Sequence, residues 1–209
     1  MSNLSNNAIH AQPALPYSQA CENNKFPILE KLRVHFAEAT QVLEIGSGTG
    51  QHAVYFAEHL PHLQWQTSDV LANHDFINVW VSAYLSANLQ RPIPLDLQQS
   101  IELSQDYDAI FTANTLHIIA WELVEAMFAL VANTLPKNGK FAVYGPFKYE
   151  GKFTSASNEQ FDNSLRQRDN YSGIRDIEAI ICLAKSKQLQ LLTDEAMPAN
   201  NRFLVFTKR

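Results

Sequence analysis

The stretch Gln41-Val42-Leu43-Glu44-Ile45-Gly46-Ser47-Gly48-Thr49-Gly50 decides how this chain folds. Val42, Leu43 and Ile45 make a short apolar run, which reads as a buried strand, and the glycines at every second position end it. Glycine accepts the positive φ of a sharp turn and lets backbone come close to a ligand. Behind the turn, Ala53, Phe56, Ala57 and Leu60 recur at helical spacing until Pro61. The segment is therefore strand, glycine turn, helix. In an open α/β sheet this unit sets a ligand site at the carboxyl end of a parallel strand.

Outward from there the same alternation continues. Before it, Pro27 to Ala39 carries Ile28, Leu29, Leu32 and Phe36 at helical spacing, with Pro27 suited to a first turn. After it, Leu63 to Thr67 reads as a strand ending at Ser68-Asp69. Phe76 to Leu89 reads as a helix with Ile77, Trp80, Val81, Tyr84 and Leu85 inward, and Pro92 to Leu95 as a strand ending at Asp96. Tyr107 to Thr112 is a fourth strand, Trp121 to Leu135 a helix closed by the turn Asn138-Gly139, and Phe141 to Tyr144 a fifth strand. A long polar stretch, Phe147 to Gly173, precedes a helix over Ile174 to Lys187. Leu189 to Thr193 and Phe203 to Thr207 are strand-like runs separated by Met197-Pro198-Ala199-Asn200-Asn201. Strands alternating with helices predict a parallel sheet with right-handed crossovers. The last two runs have no helix between them, so they pair antiparallel.

The expectation is one α/β domain over residues 23–209. Its sheet is seven-stranded and mostly parallel, with an antiparallel C-terminal strand, and residues 147–173 form an insertion on the substrate side. Residues 1–22, rich in Asn, Ser, Ala, Gln and Pro, are expected to be a flexible tail. At 209 residues, 46% hydrophobic and 18% charged, the chain suits one globular domain. A net charge of −5 speaks against non-specific phosphate binding, so no nucleic-acid partner is expected. The two cysteines, Cys21 and Cys182, show no metal or disulfide spacing and suit a reducing compartment. With no charged start and apolar core near Met1 and no long apolar run, the sequence suggests a cytoplasmic protein without a membrane partner or metal.

Dinucleotide sites use GxGxxG, with pyrophosphate on the helix N-terminus. Here Glu44, Gly46, Gly48 and Gly50 spell ExGxGxG, which fits a ligand lacking pyrophosphate and carrying a positive amino-acid end. With the terminal strand pair, this resembles the Rossmann-like class I methyltransferase fold, whose cofactor is S-adenosylmethionine (SAM). The resemblance implies that Gly46, Ser47, Gly48 and Gly50 pack against the cofactor and that Glu44 lies near its ammonium group. Asp69, at the second strand end, either accepts from the ribose hydroxyls or caps the next helix. Asp96 either accepts from the adenine amine, with Leu97 covering the ring, or sits in a solvated loop. Asn114 should line the methionine part through its backbone. His117, nearby, is a candidate base or a cap of the following helix. Ala113-Asn114-Thr115-Leu116 is not the NPPY or DPPY that grips a planar amino nitrogen, which speaks against nucleic-acid and protein N-methylation.

From about Asn23 to Arg209 the chain also resembles a family of small methyltransferase-like proteins of unknown function, that of human methyltransferase-like protein 26. The likeness rests on Asn24-Lys25-Phe26-Pro27-Ile28-Leu29, on Val42 to His52, and on Leu165-Arg166-Gln167-Arg168-Asp169. It continues through Gly173-Ile174-Arg175-Asp176 and Met197-Pro198-Ala199-Asn200-Asn201. It implies the fold and the cofactor and supplies no substrate. Within these blocks, Lys25 either meets the cofactor carboxylate or is a solvated lysine. Arg166, Arg168 and Arg175 suit a small anionic substrate, or fix the long stretch in a network with Asp169 and Asp176. Asn200 and Asn201 either reach the substrate rim or simply form a turn.

Methyl transfer from a sulfonium needs alignment and exclusion of water, and a base only where the acceptor carries a proton. Asp169, His117 and Tyr144 are the candidates for that base. The function expected from the sequence is a SAM-dependent methyltransferase acting on a small anionic molecule. A SAM-binding protein that works through a partner without transfer, and an NAD(P)-dependent oxidoreductase, are the alternatives.

Overall fold

The run around Leu43 forms the middle of the sheet. The structure, a computed structural model, describes residues 15–84 and 86–209. Along the chain lie α1 (Gln19–His35), β1 (Gln41–Ile45), α2 (Gln51–His59), β2 (Gln64–Asp69), α3 (His74–Ala83), β3 (Leu89–Pro94), β4 (Ala109–Ala113) and α4 (Trp121–Thr134). Then come β5 (Lys140–Gly145), β6 (Phe147–Tyr149), β7 (Lys152–Phe153), α5 (Ala156–Arg168), β8 (Arg175–Asp176), α6 (Ile177–Ser186), β9 (Leu189–Met197) and β10 (Asn201–Lys208). Seven strands form one sheet in the order β3-β2-β1-β4-β5-β10-β9. β1 pairs in parallel with β2 and β4, while β10 runs antiparallel to both β5 and β9. This is the mostly parallel sheet with one antiparallel strand that the sequence predicts.

Alternation along the strands divides the core in two. Val42, Trp65, Phe111 and Phe203 face α1, α2 and α3, where Ile28, Leu32, Phe56 and Ile77 cover them. Leu43, Ile110, Phe141 and Leu204 face α4 and α6, against Val124, Phe128, Val131 and Ile180. On the first face Phe56, Trp65 and Phe111 form an aromatic triangle with ring centroids 5.5, 5.6 and 5.9 Å apart. Off-axis aromatic contacts of this kind add to the area they bury.

The structure departs from the sequence reading in three places. First, α1 begins at Gln19, capped by Ser18, whose Oγ accepts from the Cys21 N–H at 3.3 Å. Residues 19–22 are therefore helix rather than tail, and Pro27 lies inside the helix. Residues 1–14 of the expected tail lie outside the described residues. Second, α3 stops at Ala83 and Leu89 opens a strand. The cause is Asn88, a buried amide whose Nδ2 donates to the carbonyls of Ala57, Leu60 and Leu63 at 2.9, 3.3 and 2.8 Å. That bond set closes the carboxyl end of α2 from the turn that precedes β3. Leu85, read as inward-facing, lies outside the described residues. Third, Phe147 to Gly173 is organised. β6 pairs antiparallel with β7 and parallel with β8 in a small second sheet, and α5 follows. Strands of two or three residues and a polar helix leave no periodicity for sequence to show.

No helix among the described residues is long and apolar enough to cross a membrane. Nor do they contain a group of three or more His, Cys, Asp and Glu side chains able to hold a metal.

Asn88→Ala should destabilise the fold by ~2 kcal/mol, because three carbonyls lose one buried donor. Urea unfolding checks this; a loss under ~0.5 kcal/mol would mean that water satisfies those carbonyls.

Candidate functional site

The three glycines of the turn share positive φ values of 77, 58 and 88° at Gly46, Gly48 and Gly50, but their surroundings differ. A Cβ at Gly46 would meet Thr115 Oγ1 at 3.0 Å, and one at Gly50 would meet Ile77 Cα at 3.1 Å. At Gly48 a Cβ would find no atom of the described residues within 4 Å. Gly46 and Gly50 thus serve close packing against the turn after β4 and against α3. Gly48 is the position whose backbone a ligand can reach. Its N–H donates to Asp69 Oδ2 at 2.8 Å.

Beneath this turn Glu44 is buried, 2% exposed. Its carboxylate accepts from Ser47 Oγ at 2.9 Å and Trp65 Nε1 at 3.2 Å. Burial raises its pKa to about 7, Asp69 adds to the rise, and the two hydrogen bonds oppose it. Lys25, expected at the cofactor, instead pairs with Glu22 and lies 4.9 Å over the Tyr55 ring. The residue that turns inward is its neighbour Asn24, buried with Oδ1 2.7 Å from His52 Nε2. The sequence reading set Asn24 beside Lys25 ahead of the first helix, closing over the cofactor, and gave His52 no role; both Asn24 and Lys25 lie inside α1. Asn24 precedes Ile28 by one helical turn, and that spacing could have shown which side of α1 it faces.

At the end of β2, Asp69 joins two turns. Oδ2 takes the Gly48 N–H, and Oδ1 accepts from Val70 N at 2.8 Å and Asn73 Nδ2 at 2.9 Å. It does not cap α3, whose N-cap is Asn73. Asp96 accepts from Gln98 N and Gln99 Nε2 at 3.0 and 2.9 Å. It borders a cleft of about 330 Å³ with Val70, Leu71, Leu95 and Ile101. Leu97 turns away from that cleft and packs against the α4 side of the core, so Leu71 and Ile101 supply the apolar lining instead.

The turn after β4 carries Asn114 and His117. Asn114 sits at φ 58° with its N–H donated to the Tyr144 carbonyl at 2.8 Å. His117 is buried, and a Cβ at Gly145 would lie 3.6 Å from its Nδ1. The ring of Phe161 meets it edge-on at 5.3 Å. Burial, with Arg175 and Arg168 nearby, lowers the His117 pKa to about 4. It does not cap α4, whose N-cap is Ala120.

The charged block after β5 is mostly engaged in structure. Arg175 donates to the carbonyls of Leu116, Ile119 and Tyr171. Arg166 binds Asp162 Oδ2 at 2.7 Å, and Asp162 Oδ1 accepts the Ile174 N–H at 2.6 Å. Asp169 ends α5, exposed, and accepts the Tyr171 N–H at 3.0 Å. Arg168 is exposed and donates to the Ser164 carbonyl at 3.3 Å. These bonds, with Gly173 N–H on the His117 carbonyl at 2.9 Å, hold α5 against the carboxyl edge of the large sheet. At the same edge the exposed Asn200, at φ 58°, accepts Asn158 Nδ2 at 3.1 Å on its carbonyl. Asn201 lies beside the hydroxyl of Tyr144, whose pKa burial raises.

The sequence pattern of the family described as "Protein of unknown function (DUF938)" matches residues 15–208, and the chain belongs to that family. Its fold is shared by solved methyltransferases. An O-methyltransferase family protein from Burkholderia thailandensis matches with a TM-score of 0.77 and 14% identity, over 90% of this chain and 57% of that one. Human N-acetylserotonin methyltransferase in complex with SAM matches with a TM-score of 0.74 and 13% identity, over 91% and 53%. An O-methyltransferase family 2 protein from Planctomyces limnophilus in complex with apigenin gives 0.71 and 11%, over 90% and 62%. This chain thus spans between half and two thirds of those proteins. At these identities the likeness establishes the Rossmann-like methyltransferase fold.

A carboxyl whose pKa is raised by folding costs stability as pH rises from the ordinary carboxylate range through its folded value. For Glu44 that loss runs from about 4.5 to about 7. Glu44→Gln should therefore stabilise more at about pH 8 than at about pH 5, by ~2 kcal/mol. Equal gains at both, in thermal unfolding, would show that the carboxylate stays solvated.

Proposed function

We propose that this chain is a SAM-dependent methyltransferase acting on a small molecule. The observation that carries this is the Glu44 carboxylate, buried under a glycine turn with no cation beside it among the described residues. A buried carboxylate of that kind is satisfied by a positive group, and SAM brings an ammonium there. Gly48 would offer backbone to the cofactor, Asp69 would accept from the ribose hydroxyls, and the cleft of Val70, Leu71, Asp96 and Ile101 would take the adenine. Bound SAM supplies a methyl group already activated by its sulfonium. The chain's own part is to hold the acceptor, exclude water and receive a proton. Of the three candidate bases, Asp169 is exposed at the end of α5 and burial keeps Tyr144 protonated. His117 is neutral, roofed by Phe161 and set at the carboxyl edge, and it is the base in this reading.

The expectation of an anionic acceptor rested on Arg166, Arg168 and Arg175. With Arg166 and Arg175 engaged within the protein, charge on the acceptor is no part of the proposal. Nor does the glycine spacing favour NAD(P) chemistry: Gly46, Gly48 and Gly50 do not spell GxGxxG. Kinship with human methyltransferase-like protein 26 belongs to the same reading and rests on the sequence blocks alone. So does a cytoplasmic setting, which suits the free thiols of Cys21 and Cys182. A small-molecule partner rather than nucleic acid suits the net charge of −5.

Calorimetry should show S-adenosylhomocysteine (SAH) and SAM binding, with NADH far weaker; NADH binding as tight as SAH sinks the proposal. Gly48→Val should weaken SAH at least ~10-fold with circular dichroism unchanged. Because the ligand's ammonium favours the ionised form of Glu44, SAH affinity should rise with pH up to about 7 and then level. In Glu44→Gln the affinity should be lower and the slope lost. A slope that survives the substitution would place the titrating group elsewhere.

A further inference from the structure

The ammonium of the cofactor meets Glu44 in this reading, but Lys25, expected at its carboxylate, pairs with Glu22 instead. The glycine turn itself holds another donor. Gln51 opens α2 directly behind Gly50 and is buried, 5% exposed. Its side-chain oxygen faces the backbone N–H of Ser18, the N-cap of α1. A backbone N–H can only donate, so the amide is fixed with its oxygen toward Ser18. The Thr49 hydroxyl donates to the same oxygen at 3.2 Å. Nε2 keeps two N–H donors, and they meet no acceptor among the described residues. The only fully enclosed polar side-chain atom without a partner among those residues is Thr207 Oγ1, so the Gln51 nitrogen is open to an incoming group.

The ground around this nitrogen suits a negative group. Two helix N-termini meet there, α1 through Ser18 and α2 through Gln51 itself, and each presents partial positive charge. Gly50, the N-cap of α2, has no side chain to give, and no acidic residue stands in the first turn of α2. Glu22, the acid in the first turn of α1, is paired with Lys25. The start of α1 is pinned on both sides. Trp80 Nε1 donates to the Pro16 carbonyl at 2.6 Å, and Asn24 Oδ1 lies 2.7 Å from His52 Nε2. The amide is therefore set in place before any ligand arrives. An amino acid carries its ammonium and carboxylate on one carbon, so their partners must be neighbours; Glu44 and Gln51 flank the same glycine turn.

We infer that Gln51 is a cofactor-binding residue, whose Nε2 donates to the carboxylate at the amino-acid end of SAM while Glu44 meets the ammonium. Ser18 and Thr49 hold the amide in its donating orientation. A neutral amide and two helix N-termini thus take the place of a basic side chain. The inference rests on the methyltransferase reading.

Two ligands that differ in this group alone test it: SAH and S-adenosyl-3-thiopropylamine, which keeps the adenosine, sulfur and amine but lacks the carboxylate. Calorimetry with the full chain should show SAH bound at least ~10-fold more tightly. Gln51→Glu keeps an oxygen for Ser18 and Thr49 and sets a second oxygen where the nitrogen stood. SAH should then weaken at least ~10-fold while the amine does not weaken, so that the preference vanishes. Gln51→Met, which keeps the bulk and removes the donors, should do the same to a smaller degree. Lys25→Met should leave the preference in place. Four results overturn the inference: equal binding of the two ligands by the unmodified protein, a preference that survives both Gln51 substitutions, a preference lost in Lys25→Met, or both ligands weakened alike in the Gln51 variants. The last would mark Gln51 as a brace of the turn and nothing more. SAH left unbound by the unmodified protein removes the methyltransferase reading and this assignment with it, whereas SAH bound without the preference removes the assignment alone.

Discussion

A carboxylate buried at the head of the central strand organises this protein. Glu44 lies under the glycine turn with Ser47 and Trp65 as its only side-chain donors among the described residues, and burial raises its pKa to about 7. Trp65 is at the same time part of the aromatic triangle with Phe56 and Phe111. One indole thus couples the charge of the site to the packing of α2 on the sheet. The turn itself stays open over that charge because Gly48 has no side chain and Asp69 holds its N–H from the neighbouring strand. A fold that only needed a reversal of direction here would not bury an acid beneath it, since a buried charge without a partner costs more than a turn gains.

The opposite side of the site is framed by charged side chains bound within the protein. Arg175 gathers the carbonyls of Leu116, Ile119 and Tyr171, and Asp162 holds Arg166 and the Ile174 N–H. Guanidinium and carboxylate so engaged make a rigid frame and little else. Toward the site stand the neutral imidazole of His117 and, exposed on α5, Arg168. Three non-glycine residues of this edge, Asn114, Ala199 and Asn200, hold left-handed backbone at φ 58, 56 and 58°. Such conformations cost of order 1 kcal/mol each and persist where the surrounding structure fixes them, which is common around binding sites.

The strands and their parallel order were legible because apolar runs and glycine turns follow from local sterics and burial, and both leave a pattern in sequence. The positions of Glu44, Gly48 and Asp69 at the ends of β1 and β2 followed from the same pattern. Lys25 was read as preceding the first helix because the helix start was not legible: with α1 beginning at Gln19, Asn24 shares a side with Ile28 and Leu32, and the lysine side chain lies over Tyr55. The small sheet of β6, β7 and β8 gave no signal, because strands of two or three residues are stabilised only by their partners.

By itself, then, the sequence determined the central sheet, its one antiparallel strand and the glycine turn with the acid beneath it. All of these depend on contacts between residues near in sequence or on strict periodicity. The tertiary structure alone decided what the arginines do. The carbonyls of Leu116 and Ile119 that engage Arg175 lie 59 and 56 residues from it. It also decided that Asn24 of α1 meets His52 of α2, at 2.7 Å. Spacing in a sequence records which face a residue belongs to; which partner it finds across the fold depends on how helices and strands pack.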